Sequence, residues 1–211
     1  MGGQEIPETF ARAAPGLRLQ LYPDGDAGPG TEAVRWRLAD GLDVVLVYAL
    51  PGGAPAVDPR RAAAWRQPTD RLWWTASDNV RAESRVRRGQ ARTGEGQELT
   101  VLEGESEYTA TNVLWLDRLV SLDPARGAMV GVPNRHLVLA FPIHDSSFLG
   151  MVEVLARTVD HFHRAGPGSI SPHLYWWRAG HLTYLPLRDS GGSVIFEPPD
   201  ELAEAVLATG G

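Results

Sequence analysis

Histidine and carboxylate side chains that could perform acid–base chemistry lie near one another in the sequence. His136 follows the segment Pro-Asn-Arg (133–135), and His144 and Asp145 stand side by side a few residues later. A histidine can act as a general base near neutral pH because its ordinary pKa is about 6.5, and a carboxylate can orient it. His136, His144 and Asp145 are therefore the candidate catalytic residues of a hydrolase or transferase.

Several other reaction types are disfavoured by the residues that are present and absent. The segment HDSSF (144–148) places histidine, aspartate and serine together along the chain, whereas the members of a catalytic triad meet in space, and there is no G-x-S-x-G motif. The chain has no cysteine, and all 20 of its basic residues are arginine. Thiolate nucleophiles, sulfur-ligated zinc, Schiff-base lysines and Walker phosphate loops are thereby excluded.

The histidine spacing does not predict a metal site. His161 and His163 are two residues apart on a predicted helix, which turns them about 200° from each other and so to opposite sides. His173 and His181 lie on opposite arms of one predicted hairpin and could be neighbours there. Alternating glutamates at 103–107 read as a solvated acidic rim. We predict no metal and no cofactor.

An uneven distribution of charge suggests a binding surface instead. The net charge is -6, but residues 60–92 contain nine arginines and three acidic residues, a local balance of +6, which leaves -12 on the rest of the chain. A helix that continues to Arg88 would place Arg81, Arg85 and Arg88 within about 60° of one another. This face would suit an acidic protein partner. Nucleic acid is a poorer fit because the whole chain is acidic and has no recognisable nucleic-acid-binding module.

Three further residues, Asn134, Arg135 and Trp176, are candidates for binding. Asn134 and Arg135 would stand at the rim of a sheet, where an arginine can hold a carboxylate or phosphate through two parallel hydrogen bonds. Trp176 and Trp177 are neighbours on a predicted strand and so point to opposite faces, which would leave one of them exposed. Tryptophan beside arginine is a composition typical of interaction hot spots.

These residues are positioned by hairpins and helices. Alternating or continuous apolar runs predict hairpins over 33–50, 128–145 and 173–187, with turns at 40–41, at Pro133-Asn134 and at 179–180. In the second hairpin Leu137, Leu139 and Phe141 are expected to pack inward. Apolar residues at helical spacing predict helices over 68–88, 108–120 and 146–164, and residues 89–97 read as a polar loop.

The order of these elements predicts an α+β fold, with a mainly antiparallel sheet of hairpins, three main helices packed on it and a short C-terminal helix at 201–208. Residues 1–30 are expected to form a loosely ordered N-terminal segment with a candidate strand at 17–23, and residues 31–211 a single domain. No stretch approaches the roughly 20 apolar residues of a membrane helix, and the N-terminus lacks a secretory pattern, so we expect a cytoplasmic location without membrane contact.

The 128–145 hairpin also resembles a known family. VGVPNRHLVLAF is similar to the VPNRD hairpin of the YtpQ-like bacterial proteins, a family defined as a domain of unknown function. The resemblance extends loosely from residue 42 to 187. The segments DRLWWTASDNVRAES and YTATNVLWLDRL stand where the family has its first two helices. The matching residues are Val132, Pro133, Asn134, Arg135, Tyr108 and Ala110. His136 and Thr109 stand where the family usually has aspartate, and the family implies a fold but no established reaction.

Two functions follow from these residues. The first is a non-enzymatic module for protein–protein interaction, an adaptor or an immunity-like protein, which rests on the arginines, on tryptophan and on the missing catalytic motifs. The second is a hydrolase or transferase that uses histidine and Asp or Glu in a cleft near the 133–145 hairpin. A cleft that holds His136 or His144 beside a carboxylate would favour the enzyme, and a flat patch with arginine and tryptophan would favour the binding module.

Overall fold

The computed structural model describes residues 6–25, 32–83, 85–92, 96–190 and 193–207, and it has the α+β fold that the sequence predicts. Within these residues, no helix is at once long enough and apolar enough to cross a membrane. The α-helices are α1 (Phe10–Ala13), α2 (Pro59–Ala64), α3 (Thr69–Glu83), α4 (Phe148–Ala165) and α5 (Asp200–Leu207), and the two 3₁₀ helices are Ala14–Gly16 and Thr109–Arg118.

The strands form three antiparallel sheets, in the orders β1-β3-β2, β4-β5-β7-β6-β8-β9 and β10-β11. The three-stranded sheet contains β1 (Leu17–Pro23), β2 (Arg35–Ala39) and β3 (Leu42–Tyr48). The six-stranded sheet contains β4 (Arg87–Arg92), β5 (Glu98–Glu103), β6 (Ala128–Asn134), β7 (Leu137–Pro142), β8 (Leu174–Arg178) and β9 (His181–Leu185). The last pair is β10 (Leu187–Ser190) and β11 (Ser193–Phe196).

The first predicted hairpin is confirmed as β2 and β3. Its turn contains Gly41 with φ +79°, a left-handed conformation that glycine adopts without steric cost. β3 lies between β1 and β2 and is buried along almost its whole length, as its nearly continuous apolar sequence predicts. The candidate strand at 17–23 is β1, which pairs with β3 from end to end.

The six-stranded sheet separates two apolar clusters. Leu137, Leu139 and Phe141 of β7 are buried on the side covered by α4, as predicted, whereas Val138 and Ala140 face the cluster that contains α3 and the three-stranded sheet. A strand buried on both faces cannot alternate apolar and polar residues, which explains the uninterrupted apolar run. The β6–β7 hairpin therefore forms the centre of the fold.

Helix α4 approaches the sheet most closely at Gly131 of β6. A Cβ atom at this position would lie 2.1 Å from Cγ2 of Val159, so the helix could not pack as it does over a larger residue. The apolar stripe predicted for α4 is buried against the sheet at Phe148, Val152, Leu155 and Val159, whereas its last residue, Phe162, is exposed. The helix covers β6, β7 and β8 but leaves β5 and β4 beside it.

The first predicted helix is too long. α3 ends at Glu83, and Arg87–Arg92 form strand β4 instead of the last helical turn and a polar loop. Pairing with β5 determines this outcome, because the polar sequence RRGQAR has no apolar periodicity of its own. The second predicted helix is the 3₁₀ helix Thr109–Arg118, which non-helical backbone interrupts at Trp115.

The turn of the central hairpin was also predicted two residues too early. Pro133 and Asn134 belong to β6, the turn is formed by Arg135 and His136, and Asn134 pairs with Leu137. The β6–β7 register shifts between Gly131 and Asn134, and this irregularity accommodates Pro133, which cannot donate a backbone hydrogen bond.

Candidate functional site

Strand β4 is one edge of the six-stranded sheet, and β9 is the other. Every residue of β4 is exposed, and it pairs with β5 along its whole length without a bulge. An edge strand presents backbone N–H and C=O groups that a further strand can bind. Bulges and short length are among the features by which proteins prevent such pairing. The regular geometry of β4 therefore leaves its backbone groups open to a further strand.

The edge carries a concentration of positive charge. Residues 85–92 contain four arginines and no acidic residue. Two of them are neutralised across the strand pair, Arg87 by Glu103 at 3.4 Å and Arg92 by Glu98 at 3.2 Å. Among the residues that the structure describes, Arg85 and Arg88 have no acidic partner within 4.0 Å. A carboxylate brought to this edge would therefore meet two guanidinium groups that no acidic residue of the described chain already holds.

A groove of about 420 Å³ lies beside β4, where α4 leaves the sheet uncovered. Its floor consists of β5 and β7, with Leu99, Val101 and Leu139, and Phe162 of α4, 39% exposed, forms one wall. Arg87 and Ala91 of β4 line the opposite side. The groove is thus an apolar surface that runs alongside the open strand edge.

The two faces of β4 differ in character. Arg87, Gly89 and Ala91 stand opposite Glu103, Val101 and Leu99 on the groove face, and the alternate residues Arg88, Gln90 and Arg92 stand on the other face. A Cβ atom built on Gly89 would come no closer than 4.0 Å to any neighbour. Small residues at positions 89 and 91 therefore leave the groove open at its β4 side.

His136 lies at one end of this groove, together with Glu103 and Glu105. Its Nδ1 is 3.2 Å from the carbonyl oxygen of Gly104, which can only accept, so Nδ1 is the donor there, and in the neutral imidazole Nε2 is the acceptor. Thr158, the hydroxyl-bearing residue among the described lining residues, donates its own hydroxyl to Val154 O at 2.7 Å. The groove holds a potential base without an available hydroxyl nucleophile.

The other two candidate catalytic residues lie away from His136. His144 follows the far end of β7 and lines a different depression, beside Arg88 and Thr100. Asp145 accepts a hydrogen bond from the backbone N–H of Ser147 at 2.8 Å, and hydrogen bonding from Ser147 lowers the pKa of its carboxyl group. Asp145 thus shapes the approach to α4, and the three candidates do not form one site.

The predicted arginine face does not exist as one helical surface. Arg81 is on α3, where it pairs with Asp78 and its guanidinium carbon lies 5.5 Å from the centre of the Trp115 ring. Arg85 follows the helix, and Arg88 is on β4. Arg81 is therefore held by the fold, whereas Arg85 and Arg88 remain available at the sheet edge.

Asn134 and Arg135 are used within the fold. Asn134 is buried, its Nδ2 donates to Phe162 O at 3.2 Å and its Oδ1 accepts from the backbone N–H of His136 at 3.0 Å. Arg135 is 3.6 Å from Glu107 and lies over the Tyr22 ring at 5.3 Å from its centre. These interactions within the fold account for both residues at the end of the hairpin, so their presence there does not require a ligand.

Neither tryptophan of β8 is exposed, contrary to expectation. Trp176 and Trp177 are 2% and 3% exposed because clusters of apolar residues cover both faces of this strand. The indole N–H of Trp176 donates to Arg126 O at 2.7 Å, and Arg178 lies over its ring at 4.3 Å from the centre. Trp176 is a core residue and cannot serve as a surface contact.

The remaining histidines do not converge. His181 pairs with Arg178 at the turn of the β8–β9 hairpin, whereas His173 precedes the opposite end of β8, so the expected proximity is wrong. His161 packs against the Phe162 ring, and Nδ1 of His163 is 3.2 Å from Pro133 O. Among the described residues there is no group of three or more histidine, aspartate or glutamate side chains that could hold a metal ion.

A buried pair of hydroxyl groups is a further polar feature that could take part in a reaction. The hydroxyl oxygens of Ser171 and Tyr175 are 2.8 Å apart. Burial raises the pKa of Tyr175 to about 12, and burial likewise raises that of Tyr108 to about 12. Tyr175 therefore stays protonated at neutral pH and does not act as a base toward Ser171, so the pair has a structural role.

The sequence did not reveal the groove or the open edge of β4. One signal was available: a run with arginines, a glycine and no large apolar residue suits a strand that no layer of the fold covers. Comparisons of the chain with protein-family models, with curated proteins and with solved structures find no match. The resemblance to the YtpQ-like family remains a prediction from the hairpin sequence.

Proposed function

We propose that the protein is a non-enzymatic interaction module, which binds an extended acidic segment of a partner protein along strand β4. The observation that supports this function is the exposed, regular edge strand, on which Arg88 has no acidic partner among the described residues. Strand addition takes its affinity from backbone hydrogen bonds and its selectivity from the side chains beside them. An adaptor or immunity-like role in the cytoplasm, without membrane contact, fits this mode of binding.

Charge selects the partner. A second copy of β4 placed against the first would bring arginines close to arginines, and like charges on neighbouring strands are destabilising. An acidic segment would instead meet Arg85 and Arg88, which have no acidic partner within 4.0 Å in the described part of the chain. Such an arrangement favours one class of partner and disfavours self-association at the same surface.

A peptide of ten alternating Glu and Thr residues should bind to β4. We expect Arg88→Glu to weaken this binding roughly tenfold, because the variant exchanges a favourable charge contact for a repulsive one. Titrations followed by the amide NMR signals of residues 87–92 measure both the affinity and the position of binding. The wild-type affinity should also fall as salt is raised from about 50 to 300 mM, because salt screens exposed charges.

Arg60→Glu provides the matched control, because Arg60 is an exposed arginine on α2 and undergoes the same change of charge. Its affinity for the peptide should equal that of the wild type, apart from a small decrease caused by the change in net charge. Two further peptides, N-methylated at the odd or at the even residues, test the backbone contacts. Strand addition requires that one of the two loses binding. The proposal is wrong if both N-methylated peptides bind like the parent, or if Arg88→Glu changes nothing.

A second candidate function, the hydrolase or transferase, has one observation in its favour: His136 lies in the groove with Glu103 and Glu105. Nε2 of His136 could take a proton from water or from a bound substrate. Hydrolysis of p-nitrophenyl esters by the wild type should then fall at least about a hundredfold in His136→Gln, the usual contribution of a general base. Equal rates for the two proteins would exclude His136 as a catalytic base toward these esters.

A further inference from the structure

We infer that the partner segment alternates acidic and apolar residues, with its apolar side chains lying over Gly89 in the groove. This inference rests on the proposed strand addition and specifies the chemistry of the partner. It follows from the two unlike faces of β4, because side chains of an added strand also alternate between the faces of the sheet.

On one face the added strand would lie beside Arg88, Gln90 and Arg92. Arg88 has no acidic partner within 4.0 Å among the described residues, so acidic side chains are favoured on this face. Opposite charges that face each other on neighbouring strands stabilise a sheet.

On the other face the added strand would lie beside Gly89 and Ala91, with Arg87, which pairs with Glu103, at the end of the row. Because Gly89 has no side chain, a side chain from the added strand can lean across it toward Val101, the next residue inward. Apolar or aromatic side chains cover strand glycines in this way in other sheets. The half-exposed Val101 and Phe162 would gain an apolar neighbour and lose contact with water.

Valine and threonine peptides make a matched pair for the test, since the two side chains have nearly the same shape. We expect the alternating Glu/Val peptide to bind to the wild type roughly fivefold to tenfold more tightly than the Glu/Thr peptide, because apolar surface is buried in the groove. A peptide with the same composition in two blocks, five Glu followed by five Val, should lose this advantage.

Two variants remove the open apolar surface of the groove and leave Arg88, Gln90 and Arg92 unchanged. Gly89→Gln should fill the open space with a polar side chain, and Val101→Thr should make the floor polar with a residue that strands accommodate well. Both should bind the Glu/Thr peptide as the wild type does and bind the Glu/Val peptide no more tightly. Gln90→Thr, on the opposite face, should retain the preference for valine.

The outcomes separate the inference from the proposed function. Failure of the Glu/Thr peptide to bind at residues 87–92 contradicts strand addition itself. If that peptide binds and valine brings no gain, or if the gain persists in both groove variants, strand addition stands and the alternating apolar pattern is wrong. Melting curves of all variants verify that each retains the fold.

Discussion

Gly127→Ala is expected to destabilise the protein by roughly 3–5 kcal/mol, from the combined costs of left-handed backbone and overpacking. Gly127 immediately precedes strand β6 and has φ +68°. A Cβ atom on this residue would lie 1.9 Å from the carbonyl oxygen of Trp177. The obstacle is the backbone of β8, which is paired with a strand on each side and cannot rotate aside as a side chain can. Urea denaturation measures the loss as a lower midpoint at an unchanged slope.

Gly180→Ala separates the two causes. Gly180 has a similar φ of +83°, in the turn between β8 and β9, but nothing lies within 4 Å of its Cβ position. This variant should cost only about 1 kcal/mol, the usual price of placing alanine in left-handed backbone. Equal losses for the two variants would show that the contact with Trp177 relaxes freely, contrary to the prediction.

Leu139→Ala should cost roughly 2–5 kcal/mol, the range for truncating a buried leucine. Leu139 is 2% exposed, lies at the centre of β7 between Val101 and Gly131, and packs in the cluster under α4. Neighbouring strands hold the backbone on both sides, so the cavity cannot close by local movement. Chemical denaturation monitored by tryptophan fluorescence gives the free energy of unfolding.

Arg135→Ala, in the turn of the same hairpin, is the comparison. Its side chain lies over Tyr22 and near Glu107 while remaining partly exposed, and contacts of this kind contribute about 1 kcal/mol together. A loss for Arg135→Ala that exceeds the loss for Leu139→Ala would place the main stabilising contacts of the hairpin at its turn and contradict the assignment of β7 as core.

Apolar patterns made the central elements of the fold predictable. Burial of β3 and β7 on both faces requires continuous apolar runs, and the stripe of α4 repeats at helical spacing, so each element is specified by its own residues. Strand β4 could not be recognised in this way. Its sequence has no apolar period, and its conformation depends on pairing with β5, a tertiary interaction.

The candidate site was predicted only in part for the same reason. Arg88 belongs to the exposed edge, but the helical spacing that joined it to Arg81 does not apply across the end of α3. His136 was recognised by its residue type, whereas the groove around it arises because α4 covers one half of a sheet and leaves the other half open. A single sequence does not reveal how much of a sheet a helix will cover.

The hydrogen bond from Asn134 to Phe162 O joins the turn of the central hairpin to the last turns of α4. Gly166 follows directly, so close to Asn134 that a Cβ atom would lie 2.2 Å from Nδ2. The backbone of Phe162, whose ring forms a wall of the groove, is thereby anchored to the hairpin before any partner arrives. A strand that docks there need not wait for rearrangement, so changes in the groove should alter how long a complex lasts far more than how fast it forms.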